Sequence, residues 1–369
     1  MSSRAELAKL LRGNWFLIGL ISVVLLGILF HTPLQRLADA SSLQTGLVCV
    51  VMWMMAAPVP LESVRRTLSH PGPGLLAAII NMGLVPLLAL CVAPLLAADL
   101  AGGLLVAATV PSTLASAAVW TRKAGGDDTV AILVTLLTNL GCVVVTPLWL
   151  VALLGVRVEL DLQTLIANLA MIVALPIGLA QLMRLNPGFS RFAEARKSLL
   201  ATTCQIGILL MVLIGSIQMG ARLAIAEGTQ ALTLAQIVML ILSACGVHVA
   251  ALVIAWYLSR ALEIKRAQRI AVSLSGSQKT LMIGLKLAMD CGVSILPMVV
   301  FHVGQLIIDT LIVQRWARQG QGRPKGGQGR GLVRAPKIER LSRIHTASTI
   351  HGRLPSWDPR ASQQRSKLG

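Results

Sequence analysis

Ser275-Gly276-Ser277-Gln278-Lys279-Thr280 are six consecutive small or polar residues inside an otherwise apolar stretch, Arg269–Asp290 (RIAVSLSGSQKTLMIGLKLAMD). They offer hydroxyls, a side-chain amide and an ammonium, the chemistry of ion and polar-ligand binding rather than of bond cleavage. In a regular helix facing lipid they would cost on the order of several kcal/mol. Irregular backbone is tolerated at membrane depth only against protein or a water-filled cavity. The segment therefore reads as a broken transmembrane helix lining a binding site, an arrangement used by secondary transporters. Lys279 makes the strongest demand, since an ammonium at the bilayer centre needs a carboxylate, carbonyls, water or a bound anion. No carboxylate precedes Asp290 in the segment, so an anionic substrate is a natural partner. The structural alternative is pairing within the protein or access to a watery vestibule.

A second polar set surrounds Pro111-Ser112-Thr113 and Ser116, within Ala101–Arg122. Proline removes a helical hydrogen bond, and neighbouring hydroxyls can satisfy the freed carbonyls, so a second break is expected there. Thr135, Thr138 and Asn139 lie in the next apolar run, Thr129–Val151. Any one such hydroxyl is an ordinary helix contact; the concentration at two breaks is what points to a site. Hard oxygens of this kind suit Na⁺, and half-helix N-termini suit a carboxylate or sulfonate. His302, Gln305 and Asp309 share one helical face, which interhelical hydrogen bonding explains, with a proton relay as the functional alternative. His248 and Asn81 carry the same structural reading, and Lys286 is expected to snorkel.

The elements that must hold these residues follow from composition. Of 369 residues 55% are hydrophobic and 13% charged, and the mean hydropathy of +0.75 marks an all-α polytopic membrane protein. Apolar runs suggest ten spans, at Asn14–Phe30, Leu43–Leu61, Leu75–Ala98, Ala101–Arg122, Thr129–Val151, Leu162–Met183, Ser198–Gly220, Leu232–Leu258, Arg269–Asp290 and Val293–Gln314. His31–Ser42 is then the first outer loop. The interrupted helices are fourth and ninth, corresponding places in two halves of about 14–152 and 161–318, which predicts an inverted five-helix repeat. With the N-terminus inside, inner segments hold 15 Lys and Arg and outer loops three, which places both ends in the cytoplasm of a cell-membrane protein. A basic start followed by an apolar run also resembles a signal peptide, but the run is too long and the small residues Ala38-Asp39-Ala40 too distant, so a retained first helix is expected.

The net charge of +18 could suggest nucleic acid, yet half of it lies in 319–369, where 11 Lys and Arg face only Glu339 and Asp358. That segment is expected to be a disordered cytoplasmic tail following a membrane domain, 1–318. No nucleic-acid partner is expected; lipid bilayer and transported solute are. The six cysteines show no metal or redox spacing and read as small packing residues. No Walker A, HExxH or nucleophile elbow occurs, so an enzyme is not expected.

RIAVSLSGSQKTLMIGLKLA, LPMVVFHVGQLIIDTLIVQRWAR, VPSTLASAAVWTRKAGGD and TNLGCVVVTPLWL together resemble the SBF-like branch of the bile acid:sodium symporter family. The resemblance implies ten helices in two inverted repeats, a panel and a core domain, and broken helices four and nine that cross. It also implies sodium-coupled uptake of an organic anion. Carried over residue by residue, it puts sodium ligands at Ser116, Thr135 and Gln278, with Gly276 also matched. Ala117, Ala131 and Leu274 stand where the family has oxygen-bearing ligands, and Lys279 where it has asparagine.

A missing carboxylate weakens a Na⁺ site and a nearby ammonium repels the ion. Lys279 is therefore expected to stand in for a sodium charge, making transport sodium-independent or proton-linked. The expected function is secondary active transport of a small organic anion through Ser112, Thr113, Ser116, Thr135, Asn139, Ser275, Gly276, Ser277, Gln278, Lys279 and His302, with no cofactor beyond Na⁺ as a coupling ion. The alternative is a membrane regulator acting through its basic tail.

Overall fold

The computed structural model describes residues 15–60, 69, 71–114, 116–155, 161–225 and 233–321. Every regular element among them is helical. The N-terminal segment before residue 15 and the expected tail from residue 322 lie outside the described residues.

The first apolar run forms α1, Trp15–Leu29. The expected outer loop is instead a helix, α2, His31–Asp39, bent 103° from α1. Its Pro33 falls in the first turn, where no intrahelical donor is lost, and Leu34, Leu37 and Ala38 give it an apolar face against the long helix α10 described below. Next come α3, Ser41–Ala56, and α4, Gly72–Leu95. Pro73 starts α4 at a position that needs no N–H.

Pro86 reshapes α4. Ile80–Leu84 form a π-turn in which the Val85 N–H goes to the Ile80 carbonyl. Because Pro86 has no N–H to replace it, the Asn81 carbonyl is left without a helical donor. Pro176 is likewise preceded by a π-turn, Ala170–Ala174, in α8, Leu162–Arg184.

Between them lie α5, Ala98–Thr109, α6, Ser116–Lys123, and α7, Asp128–Leu154. Asp161 caps α8 from outside the span, and hydrogen bonds from the Thr164 hydroxyl and the Thr164 and Gln163 N–H groups hold its carboxyl below the usual carboxylate range. A short helix that the apolar pattern does not signal, α9, Pro187–Ala195, follows the Asn186 cap. The rest are α10, Lys197–Ile225, α11, Leu234–Ala261, α12, Arg266–Ser277, α13, Leu281–Asp290, and α14, Leu296–Gln321.

Six of these helices are each long and apolar enough to cross a membrane, α4, α7, α8, α10, α11 and α14 among the described residues. Leu26, Ile79, Leu148, Leu175, Leu242 and Leu311 project outward from them or from α1, a surface suited to lipid rather than water. Packing sorts the helices into two groups. α10 lies on α1, α2 and α3, with α8 against α3; α4 to α7 pack with α11, α12 and α14. The polar residues are buried in the second group.

Candidate functional site

Both expected breaks are present. Val110 is extended (φ −72°, ψ 158°), as a residue before proline prefers, and helix resumes only at Ser116. The other break spans Gln278–Thr280, with Gln278 (φ −75°, ψ 146°) and Thr280 (φ −82°, ψ 129°) extended. The two meet, the Thr280 N–H donating to the Pro111 carbonyl at 2.9 Å. Gly276 lets α4 approach: a Cβ there would sit 3.3 Å from Ile80 Cγ2 and 3.4 Å from the Ala77 carbonyl oxygen.

Lys279 is completely buried at this meeting point. Its Nζ donates to the Asn81 carbonyl at 2.6 Å, the Val110 carbonyl at 2.8 Å and Asn81 Oδ1 at 3.3 Å. An ammonium has three N–H groups, and all three have acceptors. Pro86 leaves the Asn81 carbonyl without a helical donor, and Pro111 holds Val110 in extended backbone, which turns its carbonyl out of the helix. The organic-anion partner expected for Lys279 is thus replaced here by protein carbonyls. The Asn81 amide completes the seat, donating to the carbonyls of Ser275, Gly276 and Gln278 at 3.4, 3.2 and 2.8 Å.

A second network runs across both breaks. The Ser116 hydroxyl is hydrogen-bonded to that of Thr113. Thr113 donates to Gln278 Oε1 at 3.3 Å, and Gln278 Nε2 donates to Asp309 Oδ2 at 2.6 Å. His248 joins Asp309 Oδ1 and the Ser277 carbonyl, each at 3.1 Å. Gln305 brackets Lys279, accepting from its N–H and donating to its C=O at 2.9 Å, and contacts His302 Nδ1 at 2.9 Å.

On α7, Asn139 Nδ2 donates to the Ser112 and Thr135 carbonyls at 2.9 and 2.7 Å, and the Thr138 hydroxyl accepts from the Ser112 N–H at 3.2 Å. The Thr135 hydroxyl turns back to its own helix, donating to the Ile132 carbonyl. Ser277 does the same toward Ser273. Ser112 Oγ, Asn139 Oδ1 and Ser275 Oγ are buried with no hydrogen-bond partner among the described residues. Lys286 does not snorkel; it is buried and paired with Asp290 one turn on.

The three expected sodium ligands are not joined in one hydrogen-bonded set among the described residues. Ser116 and Gln278 join through Thr113, while Thr135 shares no hydrogen bond with either. Ala117, Ala131 and Leu274 are buried without side-chain oxygens. The Asn81 and Val110 carbonyls beside the breaks are held by the ammonium of Lys279. Asn81 and His248 make the interhelical hydrogen bonds expected of them, and those bonds place both against the second break. The signal for Asn81 was its place five residues before a proline within an apolar span. His248 gave none beyond being polar in an apolar run.

Comparison with known proteins agrees with this architecture. A probable sodium/metabolite cotransporter of Arabidopsis thaliana (BASS4, chloroplastic) is 25% identical over 86% of this chain and 75% of its own length. A putative symporter of Escherichia coli, YfeH, is 23% identical over 82% of this chain and 93% of its own length. An uncharacterised protein of Pseudomonas aeruginosa is 24% identical with the same coverage. A family model matches residues 14–318, nearly all of the helical region, and the chain therefore belongs to the SBF-like CPA transporter family, a family of integral membrane transporters.

Proposed function

We propose that the protein is a secondary active transporter of a small organic anion across the cell membrane, in which the ammonium of Lys279 serves as a fixed cation where a sodium ion would otherwise sit. Residues 1–318 form the membrane unit as ten spans in two inverted five-helix repeats, both ends cytoplasmic. α5–α6 and α12–α13 are the broken fourth and ninth spans. α1 to α3, α8 and α10 act as the panel, and the remaining spans as the core that carries the site. The observation that carries this reading is the seat of Lys279, where carbonyls released by two prolines converge on one buried ammonium. The substrate class rests on the family resemblance and on the N-termini that α6 and α13 present at the two breaks. The name of the Arabidopsis relative, a sodium/metabolite cotransporter, favours a second reading, symport with sodium, and that of the Escherichia coli relative favours symport without naming the ion.

One experiment separates the two: thermal melting of purified protein with Na⁺ exchanged for K⁺ or choline at constant ionic strength, against a panel of carboxylates and sulfonates. Saturating ligand, at about 100 times its dissociation constant, stabilises by about 2.7 kcal/mol. Anions are expected to stabilise equally in all three salts. In Lys279→Ala the vacated carbonyls should make Na⁺ or methylammonium stabilising where neither acts on the unmodified chain. Specific stabilisation of the unmodified chain by Na⁺ would show that the ammonium does not replace it; no anion effect in any salt would overturn the transport reading.

A further inference from the structure

His248 on α11 and Asp309 on α14 are both fully buried and share no hydrogen bond with the ammonium of Lys279 among the described residues. Three contacts define their surroundings. His248 Nε2 lies 3.1 Å from Asp309 Oδ1. His248 Nδ1 lies 3.1 Å from the carbonyl of Ser277, the last residue of α12. Gln278 Nε2 donates to Asp309 Oδ2 at 2.6 Å.

The proton positions follow from the acceptors. A backbone carbonyl has no proton to give, so Nδ1 must carry one. Nε2 then either carries a second proton toward a carboxylate, or is bare and accepts from a protonated Asp309. Both arrangements hold one proton more than a neutral imidazole with a carboxylate. Removing that proton sets two lone pairs against each other. They meet at Asp309 if Nδ1 keeps its hydrogen, and at Ser277 if the tautomer shifts. Neither contact is stable in a dry interior, so one tie must open.

Among the described residues, the hydrogen bonds of the pair are these three, and none relieves the clash without movement. α4 brings Asn81 and no charged side chain. α5 and α6 bring Thr113 and Ser116, and Lys279 is committed to Asn81 and Val110. α14 also carries His302, held by Gln305, and Phe301, edge-on to the imidazole at 5.9 Å. α11 itself adds Cys245, packed against Gly304, and Arg269 of α12 lies over Trp256.

We propose that His248 and Asp309 form a proton-binding site whose occupancy ties the break between α12 and α13 to α11 and α14. The ammonium of Lys279 is covalently held and cannot be carried across; this proton can exchange. Its use as the coupling ion rests on the transport reading above, whereas its binding does not.

The test is a pH titration of full-length protein with isotope-labelled histidine in lipid nanodiscs, read by ring-nitrogen NMR and infrared spectroscopy, with H248Q assigning the signal. At low pH the expected result is His248 protonated on both nitrogens, or on Nδ1 alone with a carboxylic-acid band that D309N removes. Raising the pH should remove one proton and shift the amide signals around Ser277 in the same step. D309N, whose amide can donate to a bare Nε2 while Nδ1–H stays on Ser277, should hold the Nδ1–H pattern at every pH. An Nε2–H tautomer throughout, or a pH step unchanged in D309N, would overturn the proposal. The titration is read on the unmodified chain and needs no transported anion. A failure here would leave anion transport standing, and an absent anion effect in the melting assay would leave the proton site standing.

Discussion

At the scale of single residues, the arrangement turns on Asn81, which holds Lys279 through its carbonyl and its side chain and holds the broken helix through its amide. Lys279 alone would be an uncompensated buried charge, and the carbonyls of Gly276 and Gln278 alone would be uncompensated acceptors. Replacing Asn81 by Ala keeps the backbone ligand but removes Oδ1 and the amide donor. Buried groups left without partners cost about 1–3 kcal/mol. Asn81→Ala should therefore lower the melting temperature by an amount corresponding to roughly that range and weaken whatever anion effect the unmodified chain shows. A variant that melts like the parent would mean that water replaces the amide.

At the scale of elements, prolines place carbonyls where helices would hide them. Pro86 strips the donor from Asn81, and Pro111 sends Val110 into extended backbone. Close helix approach then brings the two together. A Cβ on Gly103 would lie 2.2 Å from the Ser294 carbonyl oxygen and 2.9 Å from Pro297 Cγ, so α5 meets the start of α14 and the turn before it with no space to spare. A Cβ on Gly284 would meet Met298 Sδ at 2.2 Å, but a methionine side chain can move aside. Gly103→Ala should destabilise by roughly 1–3 kcal/mol and Gly284→Ala by less than about 1 kcal/mol, compared as thermal melts. Equal effects would mean that the Ser294–Pro297 connection yields as readily as a side chain.

At the scale of the whole molecule, the site lies within one group of helices, and α7 against α8 together with α13 against α3 and α10 link it to the other. Motion between groups would move the crossing as a unit while changing what covers it. Deleting residues 322–369 should leave anion and salt effects on melting unchanged, whereas a docking protein that works through its tail would lose function.

Membrane embedding, the helical class and the two breaks were legible from the chain because each follows from local chemistry. Polar runs in apolar segments must break or be buried, and proline removes a donor wherever it stands. The lysine at the second break was legible for the same reason. Its partners were not, because Asn81, Val110 and Lys279 are far apart in sequence and only helix packing makes them neighbours. The helix at His31–Asp39 was missed because a short amphipathic segment differs from a loop only through the surface it meets. His248 and Asp309, 61 positions apart, became a pair only when α11 and α14 packed together. Local sequence determined where the chain would need polar partners, and the tertiary structure decided which groups supply them.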